Sequence, residues 1–244
     1  MKINPDIKLV SHDIQSYDIP SCHYNILKAH GFDLSEIDKE DKLKRNITIG
    51  KMMRANPRIT KLLRETTKSL IDEFILNNNI QDSDIVIRQY DGLLLKRAVK
   101  NMEIGNMRIE HRNSFDVFIS SIKRNMYIAY DSVRGQTKIK GVSHRYEAMD
   151  EMYEKICKIN FAKKTAIFRS LQRLYDFFMT TEDAELFAIP SDNDRFLFYV
   201  VKYGEFEVTR PTIGIMDTSD IDRKRYFDFY LKPFTQSIVL EHVK

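Results

Sequence analysis

A chain of 244 residues, 43% apolar and 30% charged, is long enough for one or two domains with a core, and its composition excludes disorder. Two cysteines, Cys22 and Cys157, are too few for a disulfide framework or a structural zinc site, and no apolar run reads as a signal peptide or membrane span, so an intracellular, cytoplasmic protein is expected. The net charge of +4 says little about partners, whereas its distribution says more.

The first elements run from strand to helix. IKLVSHDIQSYDI is rich in β-branched and alternating residues and predicts a strand ending near Asp18. A short helix over 22–30 should stop at Gly31, and a second over 36–54 should break near Pro57. ITKLLRETTKSLIDEFI places Ile59, Leu62, Leu63, Leu70, Phe74 and Ile75 at helical spacing and stops at Asn77, Asn78 and Asn79. DIVIRQYDGLLLKR reads as two apolar strands around Asp91-Gly92, a dipeptide preferred in tight two-residue hairpins. Further strands are expected at 115–131 and 136–142. Beyond Tyr146 the pattern changes to helices at about 147–159 and 162–179, a strand pair around 196–209 and a final helix from about Asp220. The soft boundary near residue 146 separates two domains, 1–146 and 147–244, in an α+β chain without repeats or low-complexity linkers.

Two carboxylates stand out by position, Asp18 at a strand end and Asp91 at a hairpin tip, about 73 residues apart. Acids on neighbouring strands can hold the divalent ions that nucleotidyl transfer needs, and magnesium, which keeps several waters, can be served by two of them. Each also has a plain structural reading: Asp91 as a turn residue, Asp18 as the cap of the helix beginning near Pro20 or Ser21. Between them lies KLKRNITIGKMMRANPRITKLLR, 23 residues with eight cations and no acid, which reads as a local anion-binding surface or as a basic solvated face. The helices after Tyr146 interleave Lys155, Lys158, Lys163, Lys164, Arg169 and Arg173 with Phe161, Phe168 and Tyr175, which suits duplex tracking and an amphipathic core face alike.

These stretches resemble the family B DNA polymerases, particularly those of tailed phages. SYDIPSCHYNIL is similar to their first palm motif, S-F-D-x-x-S-L-Y-P-S-I-I, at Ser16, Tyr17, Asp18, Ser21, Ile26 and Leu27. KLKRNITIG is similar to the finger-helix motif K-x-x-x-N-S-x-Y-G at Lys42, Asn46 and Gly50, and RQYDGLLL resembles the D-T-D turn with Asp91 as its second aspartate. SIKRNMYIAYD and TKIKGV resemble the family's K-K-R-Y strand and the strand after it, and DIDRKRYFDFYLKPFTQSI resembles the stretch that closes the thumb.

The resemblance implies a palm-like domain over 1–146, with an antiparallel sheet packed on helices and vestigial fingers, followed by a mostly helical thumb-like domain over 147–244. It implies Asp18 and Asp91 as catalytic ligands for two Mg2+, with Lys42, Asn46, Ser21, Cys22, His23 and Tyr24 facing a deoxynucleoside triphosphate, and Lys123, Arg124 and Lys140 on primer-template DNA. A second register makes Asp13 the metal ligand instead of Asp18. Gln89 stands where the family has the first aspartate of its turn, His23 stands at the sugar-discriminating tyrosine, and only 23 residues separate Asp18 from Lys42 where the family has a two-helix finger hairpin. The regions that precede the palm in the family, exonuclease included, are expected to come from a second polypeptide, as in a split phage polymerase. The alternatives are a non-catalytic, DNA- or polymerase-binding subunit that keeps the palm shape, or another palm-type nucleotidyl-transfer enzyme such as a cyclase or reverse-transcriptase-like protein.

Overall fold

The computed structural model describes residues 2–35, 37, 41–142, 148–191 and 193–243. Its contacts divide the chain into two compact α+β units, Met1–Asp6 with Asp13–Ser114, and Ile7–His12 with Phe115–Lys244. The pattern change read near residue 146 lies outside the described residues.

The first unit is built on antiparallel pairs. Strand β1 (Lys2–Ile3) pairs with β3 (Ile85–Arg88), β3 with β4 (Gly92–Leu95), and β4 with β2 (Val10–Asp18, of which Asp13–Asp18 belongs here). Flanked on both edges, β4 is buried along its whole length, which explains its continuous apolar run GLLL. Three helices accompany these strands: α1 (Cys22–Ala29), α2 (Lys42–Ala55) and α3 (Pro57–Asn77). The second helix thus starts at Lys42; of its expected first turns, residues 36 and 38–40 lie outside the described set. Asn56 separates α2 from α3 alone, closing one with its N–H on the Met52 carbonyl and opening the other with its side chain on the Arg58 N–H. Pro57 at the first helical position needs no N–H partner, so the break falls where proline costs least.

Ile59, Leu63, Thr67, Ile71 and Phe74 form the buried stripe of α3, and its four apolar members meet Tyr17, Ile26, Leu27, Leu93 and Leu95 in one core. Tyr17 is tied on two sides, by its ring 5.9 Å from that of Phe74 and by its hydroxyl, which accepts the Val99 N–H at 3.0 Å. Two short strands, β5 (Glu103–Ile104) and β6 (Met107–Arg108), had no distinct signal in the sequence.

The second unit pairs β7 (Glu110–Ser121, of which Phe115–Ser121 belongs here) with β8 (Met126–Asp131), and β8 with β9 (Gln136–Lys140). Helices α4 (Ala148–Ile159) and α5 (Lys164–Thr180) follow, then β10 (Ile189–Pro190), β11 (Arg195–Val200) and β12 (Gly204–Thr209). A short α6 (Arg210–Ile213) precedes the expected final helix, which runs without a gap from α7 (Arg223–Tyr226) through a π turn over Phe227–Leu231 into α8 (Lys232–Val243). The buried face of α5, Ile167, Leu171, Leu174 and Phe178, has helical spacing, and the interleaved Phe161, Phe168 and Tyr175 are exposed. Tyr226 holds this core by its hydroxyl, which donates to the Phe187 carbonyl at 2.6 Å and accepts the Tyr199 N–H at 3.0 Å. Among the described residues no helix is long and apolar enough to cross a membrane.

Candidate functional site

The site begins with a strand register in the first unit. Tyr17 pairs with Leu93 and Asp18 with Gly92, and the Ile19 N–H donates to the Asp91 carbonyl at 2.9 Å. Asp18 at the end of β2 and Asp91 just before β4 are therefore neighbours across one antiparallel pair. The expected Asp91-Gly92 hairpin is shifted: Arg88 pairs with Leu93 and the Gln89 N–H donates to the Gly92 carbonyl, leaving Tyr90 and Asp91 as the two connecting residues. None of the three residues from Tyr90 to Gly92 has a positive φ, so the glycine does not serve a left-handed turn. Its reason is proximity, because a Cβ there would lie 2.4 Å from the Tyr17 carbonyl oxygen.

Asp18 does not cap the helix that follows. The N-cap of α1 is Ser21, held at φ 50° and ψ 35°, and no side chain accepts from the first turn. The first bond to that turn comes from the Asn25 N–H on the Ser21 carbonyl, so the N–H groups of Cys22, His23 and Tyr24 precede the helix ladder, and no acidic residue occupies the turn. Such an end favours anions.

A third wall comes from α2. Its N-cap Asp41 accepts the Leu43 and Lys44 N–H groups and fixes where the helix starts. Lys42, Arg45, Asn46 and Ile49 then recur at helical spacing along one stripe. That stripe, the turn from Ser21 to Tyr24, and Asp18 with Asp91 line a single cleft of about 220 Å³. All eight residues chosen from the sequence for catalysis and nucleotide binding are thus brought together. Asp13 is not among them; it is an exposed residue of β2 with φ 56°.

Two cations of the cleft carried no role in the sequence reading. Arg45, 9% exposed, was visible only as one charge in the basic run, although its place three residues after Lys42 puts it on the same helix face. Arg112, from β7, had no signal at all. Its Nε lies 3.8 Å from Asp18 Oδ2 and its Nη1 2.7 Å from Glu110 Oε2.

Burial keeps Cys22 and His23 neutral. Burial pushes the Cys22 thiol up to about 11, aided by the negative charges of Asp91 and Asp18, and its sulfur lies 3.5 Å from Thr67 Oγ1. Burial holds His23 below the usual imidazole range, with the Asp91 charge opposing, so the ring is uncharged at neutral pH. It packs edge-on against Tyr90 at 5.4 Å between centroids, and its buried Nε2 has no hydrogen-bond partner among the described residues.

Lys123, Arg124 and Lys140 belong to the second unit and share one end of its sheet. Ser121 pairs with Met126 around the turn that holds Lys123 and Arg124, and Lys140 pairs with Tyr127. Arg124 Nη1 donates to the Phe229 carbonyl at 3.0 Å and its guanidinium lies 5.7 Å from the Phe229 ring centre, while Lys123 and Lys140 are exposed.

Comparison with known proteins follows the fold. The structure of the family B DNA polymerase from the hyperthermophilic archaeon Pyrobaculum calidifontis is similar over 98% of this chain at a TM-score of 0.51 and 10% sequence identity. The chain spans 46% of that polymerase's length. No curated protein matches the sequence. A family model described as the bacteriophage PBS1 gene 130 protein matches residues 3–200, and the chain belongs to that phage family.

Proposed function

We propose that this protein performs template-directed nucleotidyl transfer, extending a DNA primer with deoxynucleotides as the palm-and-thumb part of a polymerase. The observation that carries the reading is the register setting Asp18 against Gly92, which brings Asp18 and Asp91 onto one cleft with Lys42 and Arg45. The donor set fits magnesium: both carboxylates are hard oxygen ligands, and the Cys22 thiol at about 11 stays protonated and does not compete. Asp18 and Asp91 would hold the ions, and magnesium bound by two carboxylates would keep waters or take phosphate oxygens at its other positions. When bound, the ions neutralise the leaving pyrophosphate and activate the primer hydroxyl.

The chain's own groups supply the rest. Lys42 and Arg45 bind the triphosphate from one helix face, and the first-turn N–H groups of α1 meet it from the other side. Arg45 takes the place of the cation that a longer finger hairpin would supply. The neutral His23 ring and Tyr24 stand where the sugar would lie, Asn46 lines the same stripe as Lys42, and Lys123, Arg124 and Lys140 contact the primer-template duplex. A second polypeptide completes the polymerase.

Primer extension with magnesium, measured with the chain alone and with whatever polypeptide co-purifies, tests the reading. Extension should vanish in Asp18→Asn and in Asp91→Asn, while Asp13→Asn keeps it. A specific observation favours the second reading, a DNA-binding subunit without catalysis: the Arg112 guanidinium already lies 3.8 Å from Asp18. Salt-sensitive DNA binding with no extension by the complete assembly would select that reading and reject the first.

A further inference from the structure

The basic run does not end at the cleft. Lys61, Arg64 and Lys68 recur at three- and four-residue spacing on α3, all exposed, on a face that does not include the buried stripe. Arg64 and Lys68 make no ion pair among the described residues, and Lys61 is offset by Glu65 at 3.8 Å between two well-exposed side chains, a contact that contributes little. Lys61 and Arg64 also line an open cleft of about 520 Å³ with Met53, Pro57, Thr60 and Glu65, so apolar surface lies directly beside the charges. Beside the Asp18–Asp91 cleft stands Tyr90, 42% exposed, its ring 5.4 Å from that of His23, next to the turn whose Cys22 sulfur lies 3.5 Å from Thr67 Oγ1 on α3. The Arg64 charge opposes the upward pull of burial on its phenol.

We propose that the Lys61–Arg64–Lys68 edge of α3 binds single-stranded nucleic acid, with a base stacked on the Tyr90 ring where the strand reaches the rim of the Asp18–Asp91 cleft. From Lys61 to Lys68 the helix advances about 10 Å, enough for three cations to meet successive phosphates. A cationic edge together with a partly exposed aromatic ring matches a polyanion that carries flat, stackable groups, and a base is free to stack there only when it has left a duplex. The direction of the strand toward the cleft rests on the nucleotidyl-transfer reading; the binding surface does not.

The test uses fluorescence anisotropy of a labelled oligothymidylate of about 16 nucleotides, titrated without magnesium or nucleotide across a salt series. Replacing Lys61, Arg64 and Lys68 by alanine should lower the slope of log affinity against log salt by about 2, from three lost phosphate contacts. Tyr90→Ala should weaken binding about fivefold or more at an unchanged slope. Arg64→Lys, which keeps the charge, should keep the slope and shows that the surface rather than the fold has been altered. A triple variant with the wild-type slope overturns the proposal. So does competition by polyglutamate as strong as by unlabelled oligothymidylate, which would assign the edge to an acidic protein instead. Because the titration omits metal and nucleotide, a chain that binds strands normally but never extends a primer defeats only the catalytic reading, and extension with an unaltered slope defeats only this one.

Discussion

Replacing Gly92 by alanine is the most direct probe of the register on which the cleft depends. The new Cβ would stand 2.4 Å from the Tyr17 carbonyl oxygen, inside the 3.0 Å that Cβ contacts essentially never breach, and 3.3 Å from Asp18 Oδ1. The nearest obstacle is backbone in the middle of a sheet, so no side chain can swing aside; β2 must move away from β4. Overpacking of this kind costs about 1–3 kcal/mol. A disturbed ladder hydrogen bond adds about 1 kcal/mol. The reduced freedom of the unfolded chain returns about 0.4–1 kcal/mol. A net loss of about 2 kcal/mol is expected, read as a lower urea midpoint at constant slope. Gly50→Ala is the control: it lies inside α2 with nothing within 4 Å of the added Cβ, and it should stabilise by about 0.5–1 kcal/mol. If Gly92→Ala is as stable as the wild type, the close approach of Tyr17 to Gly92 is wrong, and the pairing that joins Asp18 to Asp91 falls with it.

Tyr226→Phe should destabilise the second unit by about 1–3 kcal/mol in the same urea titration, because it strands the buried Phe187 carbonyl and the part-buried Tyr199 N–H. Iodoacetamide at mildly alkaline pH should label neither cysteine before unfolding, since Cys22 is buried with its thiol pushed up to about 11 and burial raises Cys157 further still; prompt labelling of either would contradict that packing. His23 has a folded pKa below its unfolded value, so the unfolded chain takes up the proton first and stability falls as pH drops below about 6.5. Above that pH its contribution is fully present, and His23→Gln should flatten the acid limb of the stability profile measured between about pH 5 and 7.

What could be read in advance were features whose cause is local. α1 and α3 announce themselves by apolar spacing and by what stops them, and Asp18 with Asp91 by their places at strand ends, because side-chain period and chain punctuation are short-range properties. The hairpin was misplaced by one residue for a complementary reason. Asp-Gly is a turn signal when glycine is needed for a positive φ, but Gly92 answers to Tyr17 on another strand, and that contact between residues remote in sequence has no local signature. Arg112 was missed on the same ground. Nothing in EHRNSF shows that its third residue will lie 3.8 Å from an aspartate more than ninety positions earlier. The cap reading of Asp18 failed because Ser21, in the left-handed region, opens the helix without any side-chain acceptor.

The basic stretch from Lys42 to Arg64 shows how helical geometry turns one sequence feature into two surfaces. Read as a line it is a single block of charge, eight cations without an acid. Wound into α2, its members at 42 and 45 join Asn46 and Ile49 on the cleft, while Lys44, Lys51 and Arg54 are exposed and do not line it. The break at Asn56 then starts a new helix phase, in which Ile59 and Leu63 take the buried stripe and Lys61 and Arg64 are left on an exposed edge. A uniform loss of affinity on removing any of these charges would therefore count against the two proposals, under which Lys42 and Arg45 govern a triphosphate, Lys61 and Arg64 a strand, and the two sets separate in assays that supply one ligand at a time.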